Sequence, residues 1–154
     1  MAATQKLIFI NLPVTDLERS VRFYEAIGGR KEPKFSNDDA AMIVLSDTIH
    51  VMLLTHPFYS SFTAKPIADA RETSQVLLCL SAENREAVDA TVEAAGTAGG
   101  KTDLSLRNDN NAMMYGRDFE DPDGHSWEIM WMDASFAEQG AHPVEAADAT
   151  ADRH

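Results

Sequence analysis

Residues 118–133, reading DFEDPDGHSWEIMWMD, constrain this chain more than any other stretch. An Asp-Pro-Asp-Gly turn separates two runs of strand-forming residues. Pro122 presets φ at one turn position, Gly124 can adopt the left-handed conformation, and the Asp side chains can bond back to the turn backbone. The spacing predicts a hairpin. Side chains alternate along a strand, so Trp127, Ile129 and Trp131 point one way and Glu128, Met130 and Met132 the other. One carboxylate, Glu128, thus projects among apolar side chains, where it requires a cation, a metal or a proton.

The rest of the chain supplies two similar orders of elements. Residues 6–14 (KLIFINLPV) read as a strand ending at Pro13. Thr15 and Glu18 have the spacing of a capping box, and Asp16 is favoured in a first turn. Leu17, Val21, Tyr24 and Ile27 follow at helical spacing until Gly28 and Gly29, predicting a helix over 16–27. Strands are expected over 30–35, 40–45 and 48–55, separated by Asn and Asp turns. The order then recurs, with a strand over 75–81 and a helix capped by Asn84. Val88, Val92 and Ala95 share one face of that helix, Gly96 ends it, and strands are expected over 101–107, 112–120 and 126–132. Residues 56–74 contain Pro57 and Pro66 without a clean period; their length predicts an ordered loop or short helical turn joining the units.

The fold class is therefore α+β: two βαβββ modules, over about 6–55 and 75–132, repeated in element order and not in sequence identity. Each sheet can bury one face on its own helix, and two curved mixed sheets facing each other would enclose a small-molecule cavity. A ferredoxin-like sandwich is the alternative, but it does not use three successive strands after each helix. With 154 residues, 44% of them hydrophobic, one domain over 1–133 is expected. Residues 134–154 form an acidic, Ala-rich tail, read as a solvated extension. The net charge of −12 disfavours nucleic acid and anionic membrane as partners. The opening residues lack a basic start and cleavage site, so the expected location is cytoplasmic. Cys79 is the one cysteine. It excludes an internal disulfide and, among Leu77, Leu78 and Leu80, is expected as a buried, non-catalytic thiol.

Residues 14–29 (VTDLERSVRFYEAIGG) and 121–129 (DPDGHSWEI) resemble, respectively, the first strand-to-helix segment and the final hairpin of the glyoxalase, bleomycin-resistance and extradiol-dioxygenase superfamily, the vicinal oxygen chelate family. The resemblance covers residues 6–132 in element order. It implies paired βαβββ modules, commonly a homodimer, and often a divalent metal held by four strand side chains. Carried onto this sequence, the ligand positions fall on Phe9, Met52, Leu77 and Glu128. Phe and Leu offer no lone pair, and a Met thioether is a poor ligand for hard or borderline ions. A two-residue shift on the same strand faces would bring His50, Gln75 and Asn11 beside Glu128 instead. Glu128 and His50 are then the metal candidates for Zn, Ni, Mn or Fe; otherwise no cofactor is expected.

Other residues carry plainer readings. His125 follows the turn glycine and is expected to face solvent, and His56 bends the chain before Pro57. Met113, Met114, Met130 and Met132 suit an adaptable apolar lining. The paired glycines lack the Lys and Ser or Thr of a phosphate loop, and Ser126 beside His125 makes no triad. Tyr115 and Arg117 share one strand face, where Arg117 is available to a substrate carboxylate or to a salt bridge. The leading function is binding of a small organic molecule in the cavity without a strong metal, with Glu128 paired or acting as a general base. The alternatives are a metal-dependent glyoxalase-like lyase or isomerase working through an enediolate, and a dimeric interaction protein whose cavity is filled by Phe9, Met52, Met130 and Met132.

Overall fold

The computed structural model describes residues 4–108 and 110–139, and within them the same order of elements occurs twice. The first module contains β1 (Ile8–Val14), α1 (Leu17–Ala26), β2 (Arg30–Glu32), β3 (Ala40–Val44) and β4 (Ile49–Thr55). After α2 (His56–Ser60), the second contains β5 (Leu77–Ser81), α3 (Arg85–Thr97), β6 (Lys101–Thr102), β7 (Met114–Glu120) and β8 (Ser126–Met132). A short α4 (Ala134–Gln139) follows. The sheets have matching orders, β1-β4-β3-β2 and β5-β8-β7-β6. In each, the first strand pairs parallel with the last and the other pairs are antiparallel.

Local chemistry explains the boundaries and where they depart from expectation. Asp16, not Thr15, caps α1, its side chain accepting from the Arg19 N–H at 3.0 Å. Thr15 is engaged elsewhere, its N–H and hydroxyl donating to Asp123 Oδ1 at 3.1 and 2.7 Å. Asn84 caps α3 as expected, accepting from the Ala87 N–H at 2.7 Å. That helix runs one residue past Gly96. The strand expected over 30–35 stops at Glu32, because Pro33 has no N–H for the ladder and a 3-10 turn takes over at Pro33–Phe35. The strand expected over 101–107 shortens to Lys101–Thr102. Beyond it the Asp118 carboxylate accepts the N–H groups of Leu104 and Ser105 at 2.8 and 3.0 Å, replacing a strand partner. Likewise Asn111 Oδ1 accepts the N–H groups of Met113 and Met114, so β7 starts two residues later than its sequence suggests.

Both helices pack inward on one shared core. Val88, Val92 and Ala95 are fully buried, as their spacing on α3 requires. From α1, Phe23 meets Phe119 with ring centroids 5.7 Å apart, and Tyr24 meets Trp127 at 6.1 Å. Each such aromatic side chain contributes on the order of 2 kcal/mol through burial. The module junction is therefore an apolar helix-to-sheet contact with an aromatic centre.

The hairpin turn fastens this junction. Asp121 Oδ1 accepts the N–H groups of Asp123 and His125, each at 2.9 Å, which shapes the turn. Its Oδ2 reaches across to accept the Tyr24 hydroxyl at 2.6 Å, and Tyr24 in turn accepts the Trp127 indole N–H at 3.0 Å. Gly124 sits at φ +92°, and a Cβ there would lie 2.6 Å from the Arg71 backbone nitrogen. The connection between modules thus crosses directly over the turn, at a place where only glycine leaves room.

Among the described residues the two four-stranded sheets stay separate and are not closed into a barrel, so the strand faces turned away from the helices are left in part uncovered. These faces are open. Phe9 is 45% exposed and Leu77 77% exposed. Cys79 is exposed as well, contrary to the expectation of a buried thiol. It belongs to an edge strand and points, like Leu77, to the open side. Among the described residues no helix is long and apolar enough to cross a membrane. Of the tail, residues 140–154 lie outside the described residues.

Candidate functional site

The concavity most suited to a ligand lies beneath the connection between modules. It has a volume of about 430 Å³, within the range of small-molecule sites. Asn11 and Pro13 of β1 form one wall, with Gln75, Val76 and Leu78 at the entry to β5 forming another. Gly124, His125 and Ser126 supply the floor from the hairpin, while Tyr59, Thr63, Lys65 and Ile67 cover it from the connection. A smaller cavity of about 190 Å³ adjoins it, sharing Pro13, Ile67 and His125 and reaching Asp69, Arg71 and Asp123.

His125 is drawn into this site and away from solvent, which corrects the sequence expectation. Its Nε2 lies 2.8 Å from the Pro13 carbonyl oxygen. A carbonyl only accepts, so this nitrogen carries the hydrogen and donates it to Pro13. The bond exists because the turn docks on the end of β1. Tyr59, Thr63 and Lys65 are likewise site residues that sequence reasoning left inside a featureless connection. Their only signal was a run of hydroxyl side chains around one lysine.

The residues singled out from sequence fall in four places that partly overlap. Asn11 and Gln75 line the cavity, Asn11 from the same strand face as Phe9 and Met52. Phe9, His50 and Met52 stand on the open face of the first sheet, where Phe9 stacks on His50 with centroids 4.7 Å apart and planes 18° apart. His50 Nδ1 lies 3.3 Å from the Ile8 carbonyl oxygen and donates to it. Leu77, Glu128 and Met130 stand on the open face of the second sheet. There Cys79 Sγ is 3.8 Å from Glu128 Oε1. Desolvation, and then the Glu128 charge, push the Cys79 thiol pKa up, so the pair is a protonated thiol donating to a carboxylate.

Tyr115 and Arg117 occupy the opposite face of the second sheet, against α3. The Tyr115 hydroxyl donates to Asp89 Oδ1 at 2.6 Å. Arg117 makes two bonds to Asp103, at 2.9 and 2.8 Å, and further contacts to Asp89 at 3.1 Å and Glu93 at 2.9 Å. The bonds from Arg117 hold Asp103 below the usual carboxylate range, and the Tyr115 bond does the same first of all for Asp89. With its guanidinium shared by three carboxylates, Arg117 is committed to structure and not to a ligand.

A divalent metal fits these positions poorly. In the unshifted set, only Glu128 provides a good donor. In the shifted set, Asn11 and Gln75 line the cavity whereas His50 and Glu128 do not. Among the described residues no group of three or more His, Cys, Asp and Glu side chains is gathered for an ion.

Comparisons with known proteins agree with this architecture. The family model described as Glyoxalase/Bleomycin resistance protein/Dioxygenase superfamily matches residues 6–129. A hypothetical protein from S. aureus superposes with a TM-score of 0.67 at 26% identity, covering 84% of this chain and 95% of that one. A glyoxalase-related enzyme from Fulvimarina pelagi gives 0.65 at 25% identity, covering 83% and 88%. The fosfomycin resistance protein FosX from Mesorhizobium loti gives 0.61 at 18% identity, covering 86% and 97%, a likeness of fold alone. No curated protein matches the chain.

Proposed function

This chain belongs to the glyoxalase/bleomycin resistance protein/dioxygenase superfamily, and from that membership we propose that it binds a small organic molecule beneath its inter-module connection, without a strong metal site. The observation that carries this reading is the cavity itself: a concavity of about 430 Å³ with an apolar wall and polar side chains from four separate parts of the chain. Sites of this size and mixture suit small ligands. The donor chemistry of Phe9, Met52 and Leu77 supports a binding mode in which no ion organises the ligand. The reading assigns binding and not turnover; an enediolate-forming lyase would need a metal centre built from other residues.

Two measurements test it together. Metal content of protein purified without chelator, determined by mass spectrometry and compared with Glu128→Ala, should show no stoichiometric ion in either form. A small-molecule binder found by screening should lose affinity in Ser74→Trp, which fills the cavity from its exposed rim. Stoichiometric metal that disappears in Glu128→Ala would sink the metal-free reading.

A second reading concerns assembly, and the open sheet faces favour it. Phe9 on one open sheet face, and Leu77 and Met132 on the other, are large apolar side chains left exposed. A single soluble chain rarely leaves such faces uncovered. Pairing with a second copy would cover them, placing Glu128 and Cys79 against apolar neighbours.

A further inference from the structure

We infer that the ligand of the inter-module cavity is a small amphipathic monoanion, a carboxylate joined to an apolar body, received by Lys65 and a set of uncommitted neutral polar groups. This inference rests on the preceding proposal that the cavity binds a small organic molecule, and it names the class.

The charge pattern comes first. The chain has 25 acidic residues against 13 Lys and Arg, yet among the described residues no Asp or Glu lines the cavity, while Lys65 does. An acid-free concavity with one cation, in a chain of net charge −12, is the reverse of the surface around it. Such a site concentrates anions against the general field of the protein. Among the described residues Lys65 forms no ion pair, and its one bond is from its backbone N–H to Thr63 Oγ1 at 3.1 Å. The neighbouring smaller cavity does hold carboxylates, but both are engaged: Asp69 with Arg71, and Asp123 with Thr15, Ser20 and Arg19.

Uncommitted hydrogen-bonding capacity is the second observation. Among the described residues, the side chains of Asn11, Tyr59, Gln75 and Ser126 make no hydrogen bond to another protein group, although all four line the cavity. Amide N–H groups and hydroxyls can each donate to carboxylate oxygens, and such charge-assisted bonds are the strong ones. A single cation and neutral donors match one negative charge better than two. Opposite them, Pro66, Ile67, Val76 and Leu78 offer an apolar wall for the ligand body.

The test uses three probes of one shape in titrations of the full chain followed by backbone amide NMR: phenylacetate, phenylacetamide and the phenethylammonium ion. Phenylacetate should shift the amides of Lys65, Gln75 and Ser126 and bind about tenfold tighter than the neutral amide, with the cation weakest. Lys65→Gln should abolish the preference for the acid, and Lys65→Arg should keep it. Both change an exposed side chain, so the fold is not at stake. Equal or tighter binding of phenylacetamide at the same amides, or an acid preference that survives Lys65→Gln, overturns the ligand class and leaves the cavity proposal standing. No perturbation of these amides by any probe at millimolar concentration overturns both.

Discussion

The Asp121 carboxylate accepts the Tyr24 hydroxyl at 2.6 Å across the boundary between the two modules. Both residues are buried, and Tyr24 passes the connection on by accepting from Trp127 at 3.0 Å. Tyr24→Phe leaves Asp121 and the Trp127 N–H each short of a partner in a site without water access. Denaturant unfolding should show a loss of about 1–3 kcal/mol, with the cavity binding retained.

Burial raises the Asp121 pKa above its ordinary value, more than its hydrogen bonds and the nearby His125 lower it. A raised folded-state value means that protonated Asp121 favours the fold: its stabilising contribution is fully present below the unfolded pKa and is lost as pH rises through the folded one. Asp89 and Asp103, held low by Tyr115 and Arg117, act in the opposite sense, contributing above their unfolded pKa and losing that contribution as pH falls through their folded values. Carboxyl-carbon NMR titration should therefore place Asp121 above the ordinary Asp range and Asp89 and Asp103 below it.

Arg117→Met removes the fork that holds Asp103 and the contacts to Asp89 and Glu93. Because those carboxylates are half or more exposed, the loss should be modest, about 1 kcal/mol in chemical denaturation. Arg117 lies across the sheet from the open face and does not line the cavity, so ligand titrations should give unchanged affinity.

Gly124→Ala should disturb the site through the backbone. The residue has φ +92°, and a Cβ would come 2.6 Å from Arg71 N and 2.8 Å from Ala70 C. Left-handed strain and this collision together should lower stability by about 2 kcal/mol. The amides of residues 68–73 should shift with it, reporting a displaced cavity roof.

The open sheet faces lead to an oligomer prediction. Leu77→Asp places a charge where the side chain is 77% exposed, so it should not unfold a monomer. Sedimentation should show a dimer for the unmodified chain and a monomer for the variant, if the faces pair between copies.

Much of this fold is legible locally. The helix faces of Val21 and Tyr24 and of Val88, Val92 and Ala95 follow from 3.6-residue spacing, and the hairpin follows from Pro122 and Gly124. Element ends are less legible: the strand expected over 30–35 runs through Pro33, where the ladder in fact stops, and the Asp118 bonds that shorten the strand after Thr102 leave no local mark. The site is least legible, because it arises where distant residues meet. Asp123 and Thr15 are 108 positions apart, and His125 and Pro13 are 112 apart. Nothing in either local sequence announces its partner. The same cause misplaced Cys79: three leucines nearby suggest burial, but an edge strand with an uncovered face leaves alternate side chains outside.

The central claim, metal-independent binding beneath the 56–74 connection, is tested most directly by mapping small-molecule binders on the chelator-treated protein with amide NMR. The predicted result is a set of shifts around Asn11, Gln75 and Ser126 with the same affinity before and after chelation. Binders that map instead to the open faces at His50 and Glu128, or that vanish when metal is removed, would contradict the account.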